Sequence, residues 1–284
     1  MFKRNVAVAE EAKAVIRALL EDLTYELIPL SNVLPQAEFL PEGARVSVTA
    51  SPAKGTQATL DLSRELQQRG LDVIPHISAR QTGDRAELES ILTQLENAGI
   101  KRAFVVGGDA DPPGEFFDAL AVLRAMEEIG HNLTIGITAY PEGHQFISDE
   151  ALHQALVDKE PYAAYMTTQM CFTPATIADW ISSRRRQGIG LPISIGIPGV
   201  AELHKLIGVS ARIGVGASMR FLAKNTSLAG KLVRPGGYSP DDLIIGLADV
   251  LADPIADVGS FHCYTFNRVE KTEQWRQDML ESLG

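Results

Sequence analysis

The sequence predicts a single-domain (β/α)8 TIM barrel, and three observations support this fold class. Eight short apolar runs alternate with helical patterns along the 284 residues of the chain. Most of these runs are continuously apolar, which is typical of parallel strands that are buried on both faces. No G-x-G-x-x-G sequence follows the first run, and this disfavours the alternative fold, a doubly wound open sheet.

The eight predicted strands follow one another along the whole chain. They cover residues 23–28, 45–50, 71–78, 102–108, 133–138, 163–169, 192–197 and 258–266. Eight such units, each with a helical partner, match the size of one (β/α)8 barrel.

The segments between the strands carry the sequence signals of helix ends. Asp84, followed three residues later by Glu87, predicts a capping box at the start of a helix. Pro174 and Pro240 suit the first helical position, where the missing N–H of proline costs nothing. Two aspartates follow Pro240, in the first turn, where the helix dipole favours negative charge.

No linker, repeat or low-complexity stretch divides the chain, so residues 1–284 are treated as one barrel domain. An amphipathic helix is predicted at about residues 8–21, before the first strand. Residues 214–238 predict an excursion before the last strand–helix unit. The arginines at 184–186 end a predicted helix, where cations suit the dipole, and we expect them to be solvated.

Composition and charge exclude several classes of protein. The formal net charge of -10 argues against non-specific binding of nucleic acid. No apolar run reaches the ~18 residues that a membrane span needs, so we expect no membrane partner. Cys171 and Cys263 lie inside apolar runs, which predicts buried thiols and a protein of the reducing cytoplasm. The six histidines are scattered, and no metal site is expected.

Polar residues cluster at the predicted strand ends. In a (β/α)8 barrel these ends meet at one rim, where the chemistry takes place. An acid, hydrogen-bonding groups, aromatic rings and one cation together suit a polar heteroaromatic ligand with a carboxylate tail. The residues are Glu26, Thr49, His76, Asp109, Tyr140, His144, Gln169, Tyr264 and Arg268.

Several of these residues also have a purely structural interpretation. Glu26 lies in an apolar strand, where a carboxylate costs several kcal/mol unless it is paired, so an ion pair with an arginine is one alternative. Asp109 alternatively closes its own loop as an Asx turn. His76 and His144 alternatively form only hydrogen bonds with neighbouring loops.

Seven short motifs, in order, resemble the methylenetetrahydrofolate reductase family over roughly residues 22–268. They are "YELIPL", "VSVT", "PHIS", "GGDADPP", "GITAYPEGH", "TTQMCF" and "FHCYTFNR". One motif alone would be weak, but five or more in the right order with similar spacing are specific. The resemblance implies a (β/α)8 barrel that reduces 5,10-methylenetetrahydrofolate to 5-methyltetrahydrofolate with NADH or NADPH, usually through FAD, in one-carbon metabolism.

The resemblance also assigns roles to residues. Glu26 matches the general acid that helps to open the five-membered ring, and Asp109 matches a catalytic carboxylate beside the pterin. A ring opening needs a proton on the departing nitrogen, which a glutamate withdrawn from water supplies. The folate contacts are matched by Asp109, Gln169, Tyr264 and Arg268. The pocket for FAD or nicotinamide is matched by Thr49, His76, Gly108, Tyr140, His144 and Lys159.

The departures from the family pattern lie on the flavin side. Gly107 replaces an arginine, Leu30 replaces a proline, and Lys159 is left alone from a Lys-Val-Asp-Ala-Gly-Ala motif. Two versions therefore stay open: FAD in a modified pocket, or direct hydride transfer from NAD(P)H, which is slightly favoured. The sequence indicates neither a preference between NADH and NADPH nor the oligomeric state, and a homo-oligomer is possible.

A function of another class also remains open. The barrel could be a folate-binding or methyl-transfer component without reductase activity, because a fold does not fix a reaction. Glu26 favours the reductase, since passive binding of a folate needs no acid for ring opening.

Overall fold

The computed structural model describes residues 8–202 and 238–284, which form a closed barrel of eight parallel strands in sequential order. This confirms the predicted fold class and excludes the open sheet. All eight predicted strands are present, most of them shortened by one to three residues. They are β1 (Thr24–Leu27), β2 (Arg45–Val48), β3 (Asp72–Ser78), β4 (Arg102–Val106), β5 (Thr134–Ala139), β6 (Tyr165–Thr168), β7 (Ile193–Pro198) and β8 (Val258–Tyr264).

Ten α-helices accompany the strands in the described part of the chain. They are α1 (Glu10–Glu21), α2 (Val33–Ala37), α3 (Gly55–Gln68), α4 (Arg85–Asn97), α5 (Ala119–Ile129), α6 (Asp149–Lys159), α7 (Pro174–Arg186), α8 (Asp241–Gly246), α9 (Ala248–Ala252) and α10 (Val269–Ser282). The predicted N-terminal helix is thus confirmed as α1. The predicted excursion at 214–238 lies outside the described residues, apart from Tyr238.

The predicted helix starts are mostly confirmed. The Asp84 carboxylate accepts a hydrogen bond from the Glu87 amide at 2.8 Å, and the Glu87 carboxylate accepts one from the Gly83 amide at 2.7 Å. Pro174 opens α7 as predicted, whereas Pro240 precedes the first residue of α8 by one position. Both aspartates after Pro240 lie in the first turn.

The barrel has two buried regions, one between the strands and the surrounding helices and one inside the ring of strands. Each strand contributes to both, because its successive side chains point to opposite faces. Outward residues such as Ile77, Ile137 and Phe261 are fully or almost fully buried against the surrounding helices. They form the main apolar core. The inward residues of several strands are polar instead, including buried Ser47 and Ser194. The barrel axis of this protein is therefore not filled by aliphatic side chains alone.

A buried polar network ties the last helix to the first strand. The Tyr25 hydroxyl, on the outer face of β1, donates to the Glu273 carboxylate of α10 at 2.5 Å. Arg276 donates two hydrogen bonds of 2.7 Å to the same carboxylate. Burial raises the pKa of Tyr25, and the hydrogen bond to Glu273 raises it further. The network holds α10 across the closing seam of the barrel.

The expectation that the arginines at 184–186 are all solvated is wrong for Arg185. Its guanidinium donates to the backbone carbonyls of Ile189, Leu191 and Ala256 at 2.7 to 2.9 Å. These carbonyls lie in the loops that precede β7 and β8, and the planar guanidinium group of one arginine reaches all of them at once. Arg186, by contrast, is exposed as expected.

Both cysteines, Cys171 and Cys263, are buried thiols, as predicted. Burial raises the pKa of Cys263, and the nearby Glu26 adds to the effect. Within residues 8–202 and 238–284, no helix has the length and apolar content required to cross a membrane.

Glu273→Ala tests the seam network. It leaves the Tyr25 hydroxyl and the Arg276 guanidinium without their partner, and we expect a loss of about 2 kcal/mol in the free energy of unfolding. Desolvation by burial opposes ionisation of Glu273, but hydrogen bonds from Arg276, Tyr25 and Gln277 and the charge of Arg276 together outweigh it and lower the pKa of Glu273. Its contribution is therefore present above about pH 4.3 and lost at lower pH. Urea unfolding at pH 7 and pH 3 measures both effects.

Glu270→Ala is the matched control, because Glu270 is exposed on the same helix. It should change stability by less than about 0.5 kcal/mol. Equal stabilities of the two variants at pH 7 would contradict the proposed importance of the seam.

Candidate functional site

The closing seam of the barrel brings two predicted site residues, Glu26 and Tyr264, together with His262. β1 pairs with β8 so that Glu26 lies opposite Tyr264, and Thr24 lies opposite His262. The Glu26 carboxylate lies 3.2 Å from the Nε2 atom of His262, and only 13% of its side chain is exposed. In the described part of the chain, the ionisable partner of Glu26 is thus a histidine, and not an arginine as the structural alternative required.

Tyr264 extends the cluster across the barrel. Its ring contacts that of His262 edge-on, with 5.0 Å between the centroids, and its hydroxyl donates to the Thr168 carbonyl at 3.0 Å. Burial raises the pKa of Tyr264 well above its usual value, and Glu26 and Tyr140 add to the rise. The phenol therefore stays protonated and serves as a hydrogen-bond donor.

His76 lies inside the barrel instead of at an open pocket edge. Its Nε2 atom is 2.8 Å from the hydroxyl of Ser47, and its ring packs on Phe104 at 4.9 Å. Desolvation by burial lowers the pKa of His76 to about 3, with a smaller effect from His262. This histidine is neutral at physiological pH. Its predicted contact with a cofactor stays a prediction.

The loop after β4 is shaped by two glycines. Gly108 has a φ of 78°, and a Cβ atom there would lie 2.1 Å from the Ser78 hydroxyl, so only glycine fits. The Arg80 guanidinium supports the loop by donating to the Ala110 carbonyl at 2.8 Å. A Cβ atom on Gly107 would meet nothing within 4 Å. A side chain could therefore begin at Gly107 without a clash at its Cβ atom, and no such side chain is present.

Asp109 follows this turn and is exposed at the rim. No hydrogen bond from a described residue reaches its carboxylate. At two helix starts, by contrast, an aspartate carboxylate accepts a hydrogen bond from a backbone amide. The Asx-turn alternative is thus not supported. The carboxylate remains available to a ligand.

A comparison with families of known proteins matches residues 36–279 to methylenetetrahydrofolate reductase. The chain belongs to the methylenetetrahydrofolate reductase family. Among solved structures, a candidate lyase/mutase from Burkholderia cenocepacia J2315 has 14% sequence identity to this chain and a TM-score of 0.47. That alignment covers 96% of this chain and 85% of the other. The family match begins after β1 and so does not include Glu26. Glu26 lies beside matched residues in space, because β1 pairs with β8.

The reductase-family barrel has a deep crevice between α6 and α7. Its volume is about 350 Å³, and its walls include the loop after β5 together with Lys159, Trp180 and Arg184. Lys159 is only 7% exposed, and its ammonium group has no ion pair with a described residue. Desolvation lowers the pKa of Lys159 to about 8, although Asp118 partly opposes this. A buried cation beside a crevice fits an anionic ligand such as a phosphate group.

Two hydroxyls at the strand ends are buried without a hydrogen-bond partner among the described residues. They belong to Thr49 and Ser78, at the ends of β2 and β3. A buried hydroxyl without a partner costs about 1–3 kcal/mol. Of the residues predicted for the cofactor pocket, Lys159 is a cation that could meet the phosphates of a dinucleotide in the crevice, and it does not distinguish FAD from NAD(P)H.

The remaining predicted residues lie at the rim with other partners. Tyr140 and His144 form an edge-to-face pair at 5.3 Å, as does His144 with Phe146 at 5.9 Å. The side-chain oxygen Oε1 of Gln169 accepts a hydrogen bond from the backbone amide of Met170 at 2.8 Å.

Arg268, predicted at the folate tail, forms an ion pair with Glu202 at 2.8 Å. A folate carboxylate would have to share or displace that partner. The structure thus places Arg268 at the rim without leaving it free of a counter-charge.

Sequence reasoning missed several residues of the site, notably His262, Ser47 and Arg80. His262 has a detectable signal, because it precedes Tyr264 by two residues in β8 and must share its inward face. The same signal exists for Ser47, which precedes the predicted residue Thr49 by two positions. Arg80 carries no such signal, since its role depends on a contact with another loop.

Lys159→Met tests the buried cation. Below pH 8 the charged form destabilises the fold, and this cost disappears as the pH rises towards 10.5. We expect the variant to be more stable than the wild type by roughly 3 kcal/mol at pH 7, and to match it above pH 10.5. Urea unfolding at the two pH values measures the difference.

The control for this substitution is Lys271→Met, which removes an exposed charge from α10. It should alter stability by less than about 0.5 kcal/mol. If Lys159→Met were no more stable than the wild type at pH 7, a negative charge would have to lie close to the Lys159 ammonium group and offset its desolvation.

Proposed function

We propose that the protein reduces 5,10-methylenetetrahydrofolate to 5-methyltetrahydrofolate with NAD(P)H as the hydride donor. The observation that carries this proposal is the Glu26 carboxyl group, which is largely withdrawn from water inside the upper barrel. A site that only binds a folate needs no acid in that position. Family membership supports the same reaction class.

Glu26 is the proton donor of the proposed reaction. It gives its proton to N10 of the substrate, the bond between N10 and the methylene carbon breaks, and a cationic iminium forms at N5. Proton transfer in the transition state contributes typically about 10²–10⁴-fold to the rate of such a step. The hydride then adds to the methylene carbon and completes the methyl group. Each turnover thus consumes one hydride and one proton.

Asp109 and the aromatic side chains stabilise and position the cation. The Asp109 carboxylate is exposed at the rim without a protein partner among the described residues, so it can face the positive pterin. Tyr264 holds its hydroxyl on the Thr168 carbonyl and thereby fixes one wall of the site. Hydride transfer requires mainly that donor and acceptor are held close and aligned.

The hydride comes directly from NAD(P)H in this proposal. The crevice with Lys159 would take the phosphates of the dinucleotide, and Tyr140, which also lines the crevice, packs edge-on against His144. FAD, when bound to a family member, supplies a hydride relay. Gly107 favours direct transfer, because a glycine at this position gives a flavin phosphate no cation.

Glu26→Gln is the first test of the proposal. The amide keeps the shape of the side chain but has no acidic proton, so we expect NAD(P)H oxidation with methylenetetrahydrofolate to fall by about 100-fold or more. Binding of the folate, measured by calorimetry, should change little.

The matched control is Asp111→Asn, which removes a 90% exposed carboxylate from the rim loop. Its turnover should equal that of the wild type. Undiminished turnover by Glu26→Gln would remove the acid from the mechanism. Folate binding by the wild type without any NAD(P)H oxidation would instead favour a binding or methyl-transfer component.

The visible absorbance spectrum of the purified protein tests the hydride source. We expect a colourless protein that oxidises NAD(P)H with methylenetetrahydrofolate and gains no activity when FAD is added. A stoichiometric flavin band in the purified protein would contradict direct transfer and restore the flavin relay.

A further inference from the structure

A second cavity lies inside the barrel, beneath Glu26. We call it the lower chamber; its volume is about 170 Å³. It opens near the N-terminal ends of β7 and β8, where Pro192 and Gly259 are exposed. The polar residues of its lining are Thr24, Arg45, Ser47, Arg102, Tyr165, Thr167, Ser194, Ser260 and His262.

This lining differs from that of most (β/α)8 barrels, whose interiors are packed with branched aliphatic side chains. Hydroxyl groups line the lower chamber from several strands, and the Ser260 hydroxyl donates to that of Ser194 at 2.8 Å. Polar cavities of this size hold ordered water, whereas dry cavities are apolar. The lower chamber therefore has the chemistry of a hydrated channel.

His262 is the point at which the lower chamber meets the candidate site. Its ring lines the chamber, and its Nε2 atom contacts the Glu26 carboxylate at 3.2 Å. Thr24 also lines the chamber, and Glu26 lies two residues nearer to the rim on the same strand. The carboxylate is thus between the chamber below and the rim above.

We propose that Glu26 regains its proton from solvent through the lower chamber, with His262 as the last carrier of the path. This inference rests on the proposed reductase function. Each turnover takes one proton from the Glu26 carboxyl group to N10 of the folate. A chamber water gives its proton to Nδ1 of His262, Nε2 gives one to the Glu26 carboxylate, and the hydroxide left behind is neutralised by bulk water. Before the next turnover Nδ1 returns its proton to the chamber water and Nε2 regains one from solvent, so that the ring is restored to its first tautomer. No oxidant or further co-reactant is needed.

A path from below is useful because substrates cover the rim. A folate and a nicotinamide stacked above Glu26 would separate its carboxylate from the water on that side. The lower chamber stays open to solvent when the rim is occupied, since its mouth is at the opposite end of the barrel. Proton return and substrate exchange then use different openings.

His262 suits this role better than the other interior histidine. His76 is held by Ser47 and has no contact with the Glu26 carboxylate among the described interactions. His262 is a positioning residue in this scheme, because it acts on the substrate only through Glu26. The titratable and charged groups around it or lining the chamber are Glu26 of β1, Arg45 of β2, His76 of β3, Arg102 of β4, Tyr165 of β6 and Tyr264 of β8.

Two variants interrupt the path at different places. His262→Gln can still donate a hydrogen bond to Glu26 but cannot carry a proton. The double variant Ser194→Val/Ser260→Val fills the chamber with aliphatic side chains of the kind common in barrel interiors. It removes two hydroxyls that bond to each other, so neither is left without a partner and the fold should persist.

The readout is steady-state turnover in H2O and in D2O. We expect kcat to fall at least about tenfold in both variants. The KM for methylenetetrahydrofolate should stay within about twofold, and the solvent isotope effect on kcat should rise because proton return becomes limiting. A merely structural role of His262 would raise KM or lower stability and leave the isotope effect unchanged. Wild-type kcat in the double variant would overturn the path.

A crystal structure of the wild-type protein at high resolution tests the path without any turnover. We expect a chain of ordered water molecules from the mouth of the lower chamber to Nδ1 of His262. In the double variant this chain of water molecules should be absent. A dry chamber in the wild type overturns the inference whatever the activity. Failure of the wild type to reduce methylenetetrahydrofolate would contradict the proposed function. In that case the chain of ordered water molecules alone would decide whether the path exists.

Discussion

The pairing of β1 with β8 is the constraint on which the rest of the site depends. Glu26 and His262 are 236 residues apart in the chain, and only closure of the barrel brings them within 3.2 Å. The same closure is held from outside by Tyr25, Glu273 and Arg276. Successive residues of β1 thus serve opposite faces, one fastening the seam and the next bearing the acid.

Much of the fold was predictable from local patterns. Buried parallel strands read as apolar runs, and the start of α4 followed from Asp84 because a capping side chain bonds within one turn of chain. The candidate acid was predictable for a similar reason. A carboxylate in an apolar strand carries a free-energy cost that is visible in the sequence itself.

The contacts of the site were less predictable, because they join residues that only tertiary structure brings together. Nothing local to Arg185 shows that carbonyls from two loops converge on it. The spacing to Tyr264 places His262 on the inward face of β8, but its partner Glu26 is at the other end of the chain. The polarity of the barrel interior also needs the strand register, since a shift of one residue reverses every side chain.

The central claim is that a protonated carboxyl group opens the folate ring so that NAD(P)H can deliver a hydride to the methylene carbon. The most direct measurement is turnover with nicotinamide that carries deuterium at C4, using each of the two stereoisomers, followed by mass spectrometry of the folate product. The account predicts 5-methyltetrahydrofolate with one deuterium in its methyl group for one of the two isomers. Absence of the methyl product, or a methyl group without deuterium from either isomer, would contradict it.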